Sequence, residues 1–143
     1  ILINDSCGHV FNQIKELMMS QANVVGWFEI YVSDMNRAVN FYKAVLQRGE
    51  FTDFSFGEEE LMGFPWIEDG AYASGALVKS KDASPGKGGT MVYFNSVDCN
   101  VEESRVVENG GKIIQAKHAI GEHGFISHIE DTEGNVVGIH SRQ

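Results

Sequence analysis

The sequence predicts an α+β fold made of two tandem β-α-β-β-β modules, preceded by an N-terminal extension expected to be helical. Three observations carry this. An alternating strand followed by an aspartate-headed helix occurs at Trp27 to Leu46 and again from Met91 onward. The tripeptide Ile67-Glu68-Asp69 recurs as Ile129-Glu130-Asp131, each copy followed by a glycine-containing turn and a last strand. Between the copies, Ser80 to Gly89 carries Pro85, Gly86, Gly88 and Gly89, the composition of a connector and not of a packed element. The expected organisation is an extension over 1–22 and a single domain over 23–143, with modules at 23–80 and 88–143.

In the extension, Val10, Phe11, Ile14, Leu17 and Met18 fall at i, i+1, i+4, i+7 and i+8, one stripe of an amphipathic helix. Such a stripe packs either on its own domain or on a partner subunit. From Val24 the pattern switches to alternation, with Phe28, Ile30 and Val32 on one face and Trp27, Glu29 and Tyr31 on the other. Ser33-Asp34 then caps a helix whose apolar residues Met35, Ala38, Val39, Tyr42, Val45 and Leu46 keep helical spacing. Three strands are expected near 49–56, 60–67 and 72–79. After the connector, Met91 to Asn95 alternates like the first strand, and Asp98 heads a less amphipathic helix that Asn109-Gly110-Gly111 ends. Aligning the two capping aspartates gives an offset of 98 − 34 = 64, which pairs Trp27 with Met91, Glu29 with Tyr93 and Tyr31 with Asn95. Gly75 is then aligned with Gly138.

The chain has 143 residues and a formal net charge of -9, so nucleic acid and anionic bilayers are repelled as partners. No apolar run approaches the roughly 20 residues of a membrane span, and no basic-then-apolar leader opens the sequence. Cys7 and Cys99 have neither zinc-ribbon nor disulfide-framework spacing. A soluble, cytoplasmic protein is expected.

The stretch WFEIYVSDMNRAVNFYKAVL resembles the opening strand and helix of the vicinal oxygen chelate superfamily of glyoxalases, bleomycin-resistance proteins and extradiol dioxygenases, and DTEGNVVGIHS resembles its closing hairpin. The phrases WFEI, GALVKS and IGEHGF resemble a glyoxalase-related branch whose members mostly lack an assigned activity. The resemblance implies that each module curls into half of an open, cup-shaped mixed β-sheet. It also implies metal ligands on the first and last strands of each half, at positions that map onto Trp27, Met91, Gly75 and Gly138. Indole has no free lone pair, glycine has no side chain, and a thioether is too soft for the centres such enzymes use. No metal and no other cofactor is therefore expected.

With those positions vacated, Trp27, Tyr31, Gly75, Met91, Tyr93, Asn95 and Gly138 are expected to line a cup suited to a small apolar or aromatic molecule, and the resemblance implies that the half-cups are completed by a second chain in a homodimer. Alternation aims His140 into the same cup, two residues beyond Gly138, and the loop Gly121-Glu122-His123-Gly124 either closes over the ligand or forms a tight turn. Glu29 lies between Trp27 and Tyr31, where desolvation would make it a general base or acid. Three readings follow: a sequestering binding protein, a metal-independent isomerase or lyase acting through Glu29, and a structural or partner-binding domain.

Overall fold

The computed structural model of this chain describes residues 10, 13, 14, 27–88 and 91–143. Val10, Gln13 and Ile14 have helical backbone, while Phe11, Leu17 and Met18 of the expected apolar stripe lie outside the described residues. From Trp27 the two modules appear in the expected order. The first comprises β1 (Trp27–Tyr31), α1 (Met35–Leu46), β2 (Thr52–Asp53), β3 (Glu60–Gly63) and β4 (Ser74–Lys79). The second comprises β5 (Tyr93–Asn95), α2 (Cys99–Val106), β6 (Lys112–Ala119), β7 (Phe125–Glu130) and β8 (Val136–Ser141).

Each module forms a four-stranded sheet, ordered β1-β4-β3-β2 and β5-β8-β7-β6. The first and last strands of each module run parallel, and the remaining pairs are antiparallel. Both helices start as the sequence requires. The Asp34 side chain accepts from Arg37 N, and the Asp98 side chain accepts from Asn100 N. Helix α1 stops where Gln47 turns left-handed at φ 49° and its N–H returns to the Lys43 carbonyl.

The helix-facing sides of the sheets and both helices enclose one hydrophobic core that includes Ile30, Phe41, Tyr42, Val45, Phe64, Leu77, Cys99, Val106, Ile129 and Ile139. Phe64 is its aromatic hub, with ring centroids 5.6 Å from Phe28, 5.4 Å from Tyr42, 4.8 Å from Phe51 and 5.5 Å from Phe94.

The modules are locked by the turn between β7 and β8. Glu133 accepts from the backbone N–H groups of Ser33 (3.0 Å) and Asp34 (2.8 Å) and from Arg37 Nε (2.6 Å) and Nη2 (2.9 Å), with its own side chain fully covered. Asp131 accepts from the buried Tyr42 hydroxyl at 2.8 Å. Asn135 Nδ2 donates to the Tyr31 carbonyl at 2.8 Å, and its Oδ1 accepts from Gly86 N at 2.8 Å, which pins the connector.

The expected strand at 49–56 shortens to Thr52–Asp53. Beyond it, backbone pairing persists only singly, from Phe54 N to the Leu61 carbonyl (2.9 Å) and between Phe56 and Glu59 (3.2 Å), and side chains fill in: Asp53 Oδ1 accepts from Ser55 N (2.8 Å) and Ser55 Oγ accepts from Leu61 N (3.0 Å). Strand β5 starts at Tyr93, so Met91 precedes it.

Candidate functional site

The parallel register fixes which side chains share a face. On β1 and β4, Trp27 pairs with Ser74, Phe28 with Gly75, Glu29 with Ala76 and Tyr31 with Val78. Phe28, Ile30 and Leu77 belong to the helix-facing side, so Trp27, Glu29 and Tyr31 project from the outer side with Ser74, Ala76 and Val78. Gly75 is therefore not a member of the outer face. It stands beside Phe28, and a Cβ there would collide with the Phe28 carbonyl and ring. In the second module Gly138 pairs with Tyr93, and Tyr93 corresponds to Glu29 (93 − 64 = 29), so the register counterpart of Gly138 is Ala76, the partner of Glu29, and not Gly75. Alignment by residue identity misplaces this position by one residue, and in a strand one residue exchanges the faces.

On the outer face of the first sheet, Trp27 is 48% exposed and Tyr31 donates to the Glu29 carboxylate at 3.4 Å, while Glu29 itself is exposed. On that of the second sheet, Tyr93 lies over Gly138, where a Cβ would overlap its ring. That opening lets the Tyr93 hydroxyl reach across β8 to His128 Nε2 at 2.8 Å. His128 Nδ1 in turn meets Gln115 Oε1 at 3.2 Å, and the His118 ring stands 6.2 Å from that of His128. Gln115, His118 and His128 were not among the expected site residues. Their spacing along the chain does not reveal the row, which depends on the β6-β7 register and its two irregularities. His140 pairs with Asn95 and Ile126 on the same face, half-buried. Gly121–His123 forms a single 3-10 turn with Glu122 exposed, and the His123 side chain lies outside the described residues.

A distinct concavity sits at the module junction. This cleft of about 260 Å³ is walled by Phe28, Phe51, Phe64 and Phe94 and continues to Trp66 and Tyr93. Of the expected residues, Tyr93 and Asn95 line it, whereas Trp27, Glu29, Tyr31, Met91, Gly138 and His140 do not. Its outer wall is the loop between β3 and β4, where Trp66 is 73% exposed and Asp69 and Tyr72 take left-handed angles of φ 58° and φ 74°. Arg48 and the ion pair between Lys43 and Glu50 (2.6 Å) stand at the α1 end.

The family resemblance implies a metal, and the donor chemistry argues against that fit. Trp27 and its register partner Ser74 offer an indole and a hydroxyl, Met91 offers a thioether, and Gly138 and its first-module counterpart Ala76 offer no donor, a poor set for a divalent cation bound by nitrogen and carboxylate ligands. Among the described residues, no three His, Cys, Asp or Glu side chains gather as a metal site. Nor is any helix among them long and apolar enough to cross a membrane.

Comparison with known proteins places this geometry. Residues 24–139 match the family model described as Glyoxalase/Bleomycin resistance protein/Dioxygenase superfamily. Among solved structures, the chain is similar to a glyoxalase/bleomycin resistance protein from Albidiferax ferrireducens T118, with 15% identity, a TM-score of 0.60, and 85% of this chain and 100% of that one covered. It is similar to TnmS3, an antibiotic binding protein from Streptomyces sp. CB03234, with 22% identity, a TM-score of 0.61 and coverage of 86% and 98%. A V278E mutant of glyoxalase I from Zea mays gives 15% identity and a TM-score of 0.64, with 82% of this chain covering 45% of that longer one. No curated protein matches. At these identities the structural likenesses establish the fold, and with the match over residues 24–139 the chain belongs to the glyoxalase/bleomycin resistance protein/dioxygenase superfamily.

Proposed function

We propose that this protein binds a small, planar, apolar or aromatic molecule in the cleft at the module junction. The observation that carries this reading is the cleft itself: about 260 Å³ of space lined by the aromatic residues Phe28, Phe51, Phe64, Phe94, Tyr93 and Trp66. Concave, largely apolar sites with few polar groups are where proteins take up small ligands. Ring faces also favour flat partners, through stacking and edge contacts. The antibiotic-binding relative of the same fold is in keeping with a sequestering role.

The outer faces have a different use in this reading. Trp27, Met91 and Tyr93 remain 48%, 39% and 43% exposed, and we propose that a second copy of the chain covers them, so that Trp27, Glu29, Tyr31, Gly138 and His140 line half-cups completed in a homodimer. A reducing, cytoplasmic setting is proposed as well, supported by the buried free thiol of Cys99, 3.2 Å from Ser141 Oγ. The isomerase or lyase reading requires a desolvated Glu29, and the exposure of that carboxylate gives it no support.

Calorimetric titration with the neutral probe 2-naphthamide tests the site. Binding that is weakened at least fivefold by Trp66→Ala and left unchanged by Trp27→Ala places the ligand in the junction cleft. The reverse pattern moves it to the outer faces and overturns this assignment.

A further inference from the structure

We propose that the junction cleft selects a planar aromatic acid, with Arg48 as the anchor for its carboxylate. This rests on the small-molecule reading above and goes further by fixing the charge of the ligand. Among the described basic side chains, Arg37, Lys43, Lys79, Lys81, Lys87, Lys112 and Lys117 each meet a carboxylate within the chain. Arg48, Arg105 and Arg142 do not, and of these three only Arg48 lines the cleft.

The Arg48 guanidinium is oriented but not neutralised. Its Nη2 donates to the Asn95 carbonyl at 2.9 Å, engaging one of the five N–H groups of its fork. A backbone carbonyl fixes direction without cancelling charge. Arg48 also borders a shallower depression with Arg105 and Glu102. Glu102 accepts from Ser96 Oγ there and forms no ion pair with either arginine, and Arg105 Nη1 donates to the Val45 carbonyl at 3.1 Å. The other cation on the cleft wall, Lys43, is already matched by Glu50. Glu68 and Asp69 belong to the loop that forms the outer wall but not to the cleft lining.

In a chain of net charge -9, most of the surface repels anions, so an uncompensated guanidinium beside aromatic walls is a local exception. Low-polarity walls strengthen its attraction for an anion, and the planar fork suits a carboxylate held by two parallel hydrogen bonds. Phe28, Phe64 and Phe94 then face the rings of the same ligand. A cleft of about 260 Å³ falls just below the range of roughly 300–1,000 Å³ typical of ligand sites, which points to a compact acid of one or two fused rings.

The experiment compares 2-naphthoate with 2-naphthamide, which share a ring system and differ in charge, by calorimetric titration of the full chain at low salt. The expected result is at least tenfold tighter binding of 2-naphthoate. Arg48→Gln should abolish that preference by weakening 2-naphthoate far more than 2-naphthamide, whose neutral carbonyl gives up no ion pair, and Arg48→Lys should retain part of it. Because Arg48 is exposed, circular dichroism of both variants should match the parent. Equal affinities for acid and amide in the parent, or a preference that survives in Arg48→Gln, overturn the acid assignment and leave the small-molecule reading standing. Absence of binding by both probes overturns the cleft reading and this proposal with it.

Discussion

Glu133 illustrates how far a single carboxylate can act across the molecule. Burial by itself pushes its carboxyl up, but hydrogen bonds from Arg37, Asp34 and Ser33 outweigh that and hold it at about 2. Glu130 is likewise held at about 2, chiefly by Lys112 and then by Lys87. A carboxyl depressed in the folded chain contributes stability above its unfolded value of 4.5 and loses it as pH falls toward 2. The midpoint of thermal unfolding should therefore drop between those two values in calorimetric scans, and Glu133→Gln should flatten part of the drop. At neutral pH the same substitution should cost roughly 2–3 kcal/mol in denaturant titration, because Arg37 and two backbone N–H groups lose a charged acceptor. A cost under about 0.5 kcal/mol, the size of an isolated surface pair, would show that the latch does not hold the modules together. A second residue-scale expectation concerns metal: with Trp27, Ser74 and Met91 where ligands would stand, unfolding should be unaffected by a strong chelator. One transition metal per chain, lost together with stability on chelation, would contradict it.

The helices and most strands were legible in the sequence because local chemistry and tertiary packing agree. Asp34 and Asp98 cap their helices as their positions imply, and the apolar stripe of α1 is the side that is buried. The second helix is the more dependent on its cap, since its 8 residues bury only Cys99, Glu102 and Val106. Asp98 also receives Lys117 Nζ at 2.8 Å, and the hydrogen bond from Lys117 is the main cause of its lowered pKa, followed by that from Asn100. Asp98→Ala should cost about 1 kcal/mol or somewhat more, and Asp98→Asn, which keeps the cap and loses the ion pair, no more than about half of that. Equal losses in the two variants would mean that the ion pair and not the cap sustains α2. What the sequence concealed depends on register and on long-range placement. Gly75 and Gly138 match as letters, yet backbone pairing puts the first beside Phe28 and the second beside Tyr93. The walls of the cleft come from Phe28, Phe51, Phe64 and Phe94, whose pattern reads as ordinary core. Glu133 sits in a turn, where nothing local announces Arg37 as its partner.

At the scale of the whole molecule, the proposed homodimer concerns the two outer sheet faces, which carry large exposed side chains. Trp27 and Met91 are large apolar residues, 48% and 39% exposed, and Tyr93, hydrogen-bonded to His128, is 43% exposed. Covering side chains of this kind is favourable by roughly 25 cal/mol per Å² of apolar area, and a symmetric pair counts each residue twice. A homodimer that brings these faces together should scatter light as about twice the chain mass of 15.8 kDa. Trp27→Lys combined with Met91→Lys should then give a monomer, because two ammonium groups per chain would have to be desolvated at the contact. Circular dichroism should be unchanged, since neither residue belongs to the core. Removal of residues 1–22 separates the contribution of the extension: a dimer that survives this deletion but not the double lysine substitution is held by the sheet faces, and one lost on deletion is held by the apolar stripe of the extension. A parent protein that scatters as a single chain at micromolar concentration would contradict the homodimer altogether, and the exposed tryptophan and methionine would then have to be surface that no second copy covers.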